Sequence, residues 1–258
     1  MPVHDGSGYF PAPPPRVIAH RGLALEAPEN TLLAFGKAVA VGVQHLETDV
    51  HASTDGVAII SHDSSLTRVA GRDVRVNQLT AAELHRVDLG GGQNFVTLAE
   101  ALDAFPGARF NIDVKVDEAI MPTVEAIRST RATHRVLVTS FSDARRRRTI
   151  AELPGVATSS ASANTAALLA VSRLGLRPAL RRLLARIDAV QVPEVWRSVR
   201  IVTPAFVRKV QSAGVEVHVW TVNDPSDMAR LLDLGVDGLV TDRADLAIPI
   251  VRARTSNR

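Results

Sequence analysis

Eight short β-branched runs recur along the chain, and most of the gaps between them carry helical periodicity. They are RVIAH (Arg16 to His20), HLETDV (His45 to Val50), RFNIDVK (Arg109 to Lys115) and RVLVTSF (Arg135 to Phe141), then GVATSSA (Gly155 to Ala161), IDAVQV (Ile187 to Val192), EVHVWTV (Glu216 to Val222) and DGLVTD (Asp237 to Asp242). Strands joined by crossover helices run parallel. Eight such units predict a closed (β/α)8 TIM barrel in the α/β class. The length of 258 residues fits one barrel, since a barrel commonly needs about 250. NTLLAFGKAVAVG and PSDMARLLDLG read as two of the helices, each ending in Gly as helix C-termini often do.

One interval is too long for a simple crossover. Residues 51–95 hold STDGVAIISHD, with Asp55-Gly56 as a hairpin turn, and LTAAELHRV, a short helix for Thr80 and Glu83 to cap. This predicts a small insertion after the second strand. Residues 1–15 read as a flexible Pro-rich segment, and residues 16–258 as a single domain. The start has no basic region followed by an apolar one, so no secretory signal is read and the cytoplasm is expected. No apolar run approaches the roughly 18 residues of a membrane span. The chain has no Cys, which excludes disulfides and thiolate metal sites. A net charge of +3 does not argue for nucleic acid. The RRRR run at 145–148 reads as a solvated helix face, and the Arg-rich 177–186 region leaves room for peripheral membrane contact.

Two carboxylates inside a buried strand need a partner. Residues i and i+2 share a strand face, so Glu47 and Asp49 point the same way, as do Asn111, Asp113 and Lys115 on the next strand. C-terminal strand ends gather at one mouth of a barrel, where active sites lie. Three carboxylates converging there repel one another unless a divalent cation sits between them. Oxygen ligands suit Mg²⁺ or Ca²⁺. Lys115 is one of only three lysines among 30 basic residues, which points to a local reason for it. His20 closes the first strand beside Arg21-Gly22, and His62 precedes Asp63. Two imidazoles at such positions can act as general base and general acid. His51 keeps the parity of Glu47 and Asp49 and is left without a role.

HRG (20–22), PENT (28–31), LETDV (46–50), HD (62–63), LTR (66–68), NIDVK, VWTVN (219–223) and DGLVTDRAD (237–245) occur in order. Together they resemble the glycerophosphodiester phosphodiesterase family over nearly the whole chain after Arg16. The resemblance implies a TIM barrel that hydrolyses glycerophosphodiesters to sn-glycerol 3-phosphate and an alcohol with one divalent metal ion. It implies Glu47, Asp49 and Asp113 as metal ligands, although the family usually has Glu where this chain has Asp113. It implies His20 and His62 as the acid–base pair, leaving open which is which. Arg21 and Lys115 would bind phosphate, Glu29 would lie at the same mouth, and Trp220 would form an apolar wall. The rival readings are a related barrel phosphodiesterase acting on lysophospholipid, phosphoinositide or sphingomyelin, a catalytically silent barrel used as a binding protein, and a basic nucleic-acid binder.

Overall fold

The computed structural model describes residues 8–160 and 165–255. Eight parallel strands form the barrel: β1 (Arg16–His20), β2 (His45–Ala52), β3 (Arg109–Val114), β4 (Val136–Thr139), β5 (Ala157–Thr158), β6 (Ala189–Pro193), β7 (Glu216–Trp220) and β8 (Gly238–Thr241). Each lies on one of the runs read from the sequence. The sheet runs β5-β4-β3-β2-β1-β8-β7-β6. Its seam is bridged by Ser159 pairing with Ala189 and by the bond from the Asp188 N–H to the Thr158 carbonyl (2.8 Å). The barrel is therefore nearly closed.

Alternation along the strands divides the chemistry. Leu46 and Val50 of β2, and Phe110 and Ile112 of β3, join the main apolar core with helix residues such as Phe35, Leu98 and Leu102. The intervening Glu47, Asp49, Asn111 and Asp113 therefore face the barrel interior. Helices Leu32–Ala40 and Pro225–Asp233 stand where the periodicity placed them. Thr31 and Asp224 cap their N-termini, and Gly42 and Gly235 follow them at positive φ.

The interior is closed below by the start of the chain. Tyr9 (3% exposed) and Phe10 pack against Leu137 and Ala189. His45 bonds the Tyr9 carbonyl at 3.0 Å, and Arg109 donates to the Gly8 carbonyl at 3.0 Å. The expected flexible lead-in is thus corrected at Tyr9 and Phe10, whose aromatic side chains find apolar partners under the barrel. Residues 1–7 lie outside the described residues. Just above this floor Arg16 grips Glu216 with two bonds of 2.7 and 2.8 Å, and Glu216 bonds His218 at 2.9 Å.

Between β2 and the helix Leu98–Ala104 stand a short strand, Ala58–Ile60, and short helical turns. β2 continues to Ala52, past the Val50 boundary read from the sequence, because its end pairs antiparallel with Ala58–Ile60. The Thr80–Glu83 capping box forms as expected. Ile59, Leu66, Val76, Leu84, Val87 and Phe95 make a second apolar cluster separate from the barrel's core. The Arg run is not a uniformly solvated face: Arg146 is buried, bonded to Asp143 and Thr158. Among the described residues no helix is long and apolar enough to cross a membrane.

Candidate active site

Register brings the polar residues together. His20 of β1 pairs with Glu47 of β2, Glu47 with Asn111 of β3, and Asp49 with Asp113. The chain then turns sharply after His20: Arg21 has φ +55° and its N–H donates to Glu47 Oε2 at 3.1 Å. Gly22 follows at φ +86°, where a Cβ would sit 2.7 Å from the Ala34 backbone, so the turn needs glycine there.

A cavity of about 210 Å³ at the mouth is lined by His20, Arg21, Glu47, Asp49, His62, Asp113, Lys115 and Trp220, together with Asn111, Phe141 and others. Eight of the nine site residues named from sequence thus meet around one space. The ninth, Glu29, is not on this wall. It accepts a bond from Arg21 at 3.0 Å and two from Arg68, at 3.1 and 2.6 Å. It therefore orients Arg21 rather than facing the cavity.

Both histidines are held in the same way. His20 Nδ1 lies 2.7 Å from Asp242 Oδ1, and His62 Nδ1 lies 2.7 Å from Asp63 Oδ1. Each carboxylate fixes its ring and leaves Nε2 as the nitrogen available for proton transfer. Burial alone would lower the pKa of His20, but the Asp242 bond and the Glu47 charge outweigh it and raise it. Asp242 is itself anchored by Asn223 (2.7 Å), and Asp63 by Arg68 (2.5 Å). His51 bonds the His62 carbonyl at 3.2 Å and so supports the backbone of that histidine.

The carboxylates do not converge as directly as the sequence reading expected. Lys115 Nζ sits between two of them, 2.6 Å from Asp49 Oδ1 and 2.7 Å from Asp113 Oδ2. Among the described residues no three acidic, His or Cys side chains stand in metal-holding geometry. Even so, the cluster is under-compensated. Burial and the neighbouring Asp49 charge push the pKa of Glu47 up. Burial also raises that of Asp113, against the pull of Lys115. Asp113 Oδ1 and Asn111 Oδ1 are buried with no hydrogen-bond partner, and buried polar atoms rarely stay orphaned. Two unfilled oxygen acceptors beside raised carboxylates suit a hard cation bound through oxygen. The donor chemistry fits a divalent cation.

Sequence reasoning gave no role to Asp242, Arg68 or Phe141. Phe141 is 55% exposed, 5.4 Å from Lys115 Nζ and 6.3 Å from the Trp220 ring. Asp242 was findable: in a closed barrel the last strand lies beside the first, so the end of VTD must meet His20.

Comparison with known proteins bears on what this site does. The model of the glycerophosphoryl diester phosphodiesterase family matches residues 20–246. The chain is 43% identical over 241 residues to a probable glycerophosphodiester phosphodiesterase 2 of Mycobacterium tuberculosis, covering 92% of this chain and 90% of that protein. It is 26% identical over 260 residues to a lysophospholipase D of Rattus norvegicus, covering 88% and 83%. A phosphodiesterase structure from Oleispira antarctica, in complex with the product sn-glycerol-3-phosphate, shares the fold at TM-score 0.75 and 24% identity, covering 93% and 97%.

Proposed function

This chain belongs to the glycerophosphoryl diester phosphodiesterase family, and from that premise we propose that it hydrolyses glycerophosphodiesters, such as glycerophosphocholine, to sn-glycerol 3-phosphate and an alcohol. The observation that carries the site assignment is the pair of carboxylate-held imidazoles, His20–Asp242 and His62–Asp63, on one cavity that also presents Arg21 and Lys115. One imidazole takes a proton from the nucleophile and the other gives one to the departing alkoxide. Arg21 and Lys115 supply fixed positive charge to the phosphate oxygens. Trp220 and Phe141 offer an apolar wall to the glycerol backbone.

Charge arithmetic supports a cation. When all three are ionised, Glu47, Asp49 and Asp113 outnumber Arg21 and Lys115 by one charge, a surplus of the sign that a phosphodiester carries; the raised pKa of Glu47 reflects that surplus. A divalent ion reverses that sign. Glu47, Asp49 and Asp113 would hold it, with the orphaned Asn111 and Asp113 oxygens turned to the same space. When bound, the ion offsets charge developing on the non-bridging phosphate oxygens.

A second reading is a lysophospholipid diester as substrate. The exposed Phe141 beside Trp220 at the mouth favours it, as does the similarity to a lysophospholipase D. Turnover of glycerophosphodiesters and lysophospholipids, each with and without Mg²⁺ or Ca²⁺, separates the two. Release of sn-glycerol 3-phosphate is expected. Failure on both classes with either metal would leave the silent-barrel reading.

A further inference from the structure

A second cavity of about 270 Å³ lies beside the first, between the PENT loop and the insertion. Only His62 lines both. The second cavity has apolar walls from Pro28, Val69, Leu89 and Phe95, with Glu29 and Arg68 also on its lining. These charges are already matched: Glu29 is held by Arg21 and Arg68, and Arg68 is held by Glu29 and Asp63.

We propose that this second cavity receives the leaving alcohol, and that it selects an uncharged alcohol with an apolar portion. The inference rests on the hydrolase reading above. With His62 taken as the acid and His20 as the base, the oxygen of water forms a new bond to phosphorus and its proton passes to His20. The bond from phosphorus to the alcohol oxygen breaks, and that oxygen takes the proton of His62 Nε2. The departing oxygen must therefore lie within hydrogen-bond reach of His62, about 2.6–3.2 Å. The phosphate is drawn to Arg21 and Lys115 in the first cavity. The rest of the alcohol then needs space on the other side of His62, and the second cavity is that space. A quaternary ammonium finds no unmatched carboxylate in it, and an anion finds no unmatched cation. An alkyl group finds Val69, Leu89 and Phe95. Burying one methylene is worth up to about fourfold in kcat/KM.

The test compares sn-glycerol 3-phosphodiesters of methanol, butanol, choline and 3,3-dimethylbutanol, the last being the uncharged isostere of choline. We expect kcat/KM to rise from methyl to butyl, and the dimethylbutyl diester to exceed the choline diester by about tenfold. Leu89→Trp, which fills the cavity, should lower the ratio of dimethylbutyl to methyl turnover at least tenfold, and Val69→Phe should act in the same direction from another element. A choline diester equal to or better than its uncharged isostere overturns the proposal. So does a loss in both variants that is the same for every diester. If the parent chain turns over none of these diesters, the hydrolase reading fails, and the cavity is judged by binding alone. Free 3,3-dimethylbutanol should shift the His62 ring signals in NMR spectra of the parent and not of Leu89→Trp. No shift in the parent refutes the subsite.

Discussion

The barrel buries charge at both ends, and the two ends treat it differently. At the floor, Arg16, Glu216 and His218 satisfy one another: two bonds from Arg16 to Glu216, and one between Glu216 and His218. Burial would raise the pKa of Glu216, but those partners win and hold it down at about 2. At the mouth, Glu47 and Asp113 are as deeply buried and their pKa values move up instead. Residue type and depth are the same. What differs is completeness: the floor's counter-charges come from the chain, and on the function proposed above part of the mouth's come from a bound cation. A satisfied ion cluster serves architecture, whereas an unsatisfied one is held ready for a ligand.

The largest expected effect is at the mouth. Rigorous chelation should abolish hydrolysis, and added Mg²⁺ or Ca²⁺ should restore it; full turnover after metal removal would erase the distinction between the two ends. His20→Ala and His62→Ala should each cost ~10²–10⁴-fold in turnover while metal binding, followed by calorimetry, stays intact. A nitrophenyl leaving group needs little protonation, so it should rescue the variant that lacks the acid and not the one that lacks the base.

The floor predicts the reverse pattern. Glu216→Ala leaves Arg16 and His218 without their partner, at a cost of ~3–5 kcal/mol, and Tm should fall on the order of 10 °C. Turnover per folded molecule should hardly change. Glu47→Gln, removing a like charge, should instead leave the metal-free Tm unchanged or higher while abolishing activity. If both substitutions lowered Tm equally, the contrast would be lost.

The pH dependence is smaller. Glu216 has a folded pKa of about 2 against an ordinary value of 4.5. A depressed carboxyl stabilises the fold above its unfolded pKa and loses that contribution as pH falls through the folded one. The window is therefore from about pH 4.5 down to about 2, with about 3 kcal/mol at stake. Denaturant titrations of the parent and Glu216→Gln across that range should converge as the pH falls. A constant gap would mean that the floor is not held by an ionised Glu216.

The smallest effect concerns Arg68, which ties Glu29 to Asp63. Arg68→Ala should lower kcat by roughly fivefold, the effect expected for a half-exposed pair worth about 1 kcal/mol. A kcat equal to that of the parent would remove Arg68 from the orientation of His62. Asp113→Glu should change metal affinity without lowering Tm, testing whether the shorter carboxylate limits ion binding.

The strands were legible because alternation and β-branching are local signals, and all eight stand where those signals lie. The mouth residues were legible because parity and strand ends determine direction. Local signals miss what a distant element supplies. Asp242 meets His20 across 222 residues of sequence, and Arg68 reaches Glu29 across 39. Lys115 shared a face with Asp113, but nothing in the spacing said that its ammonium would stand between Asp49 and Asp113. The aromatic plug at Tyr9 and Phe10 was hidden by the prolines around it, whose composition resembles that of a linker.

The insertion keeps its apolar cluster, Ile59 to Phe95, apart from the core that holds the barrel together. It is tied to the barrel through Ala58 and Ile60, which pack in the main core beside β2. The barrel presents the phosphate-side groups, and the insertion brings His62, Val69 and Leu89. Grafting residues 53–95 from one relative onto another would therefore alter the second cavity while leaving the carboxylate and Lys115 side chains in place. Selection acting on these two parts can change them at different rates, one kept for the shared half of every substrate and the other free to follow whichever alcohol the surroundings supply.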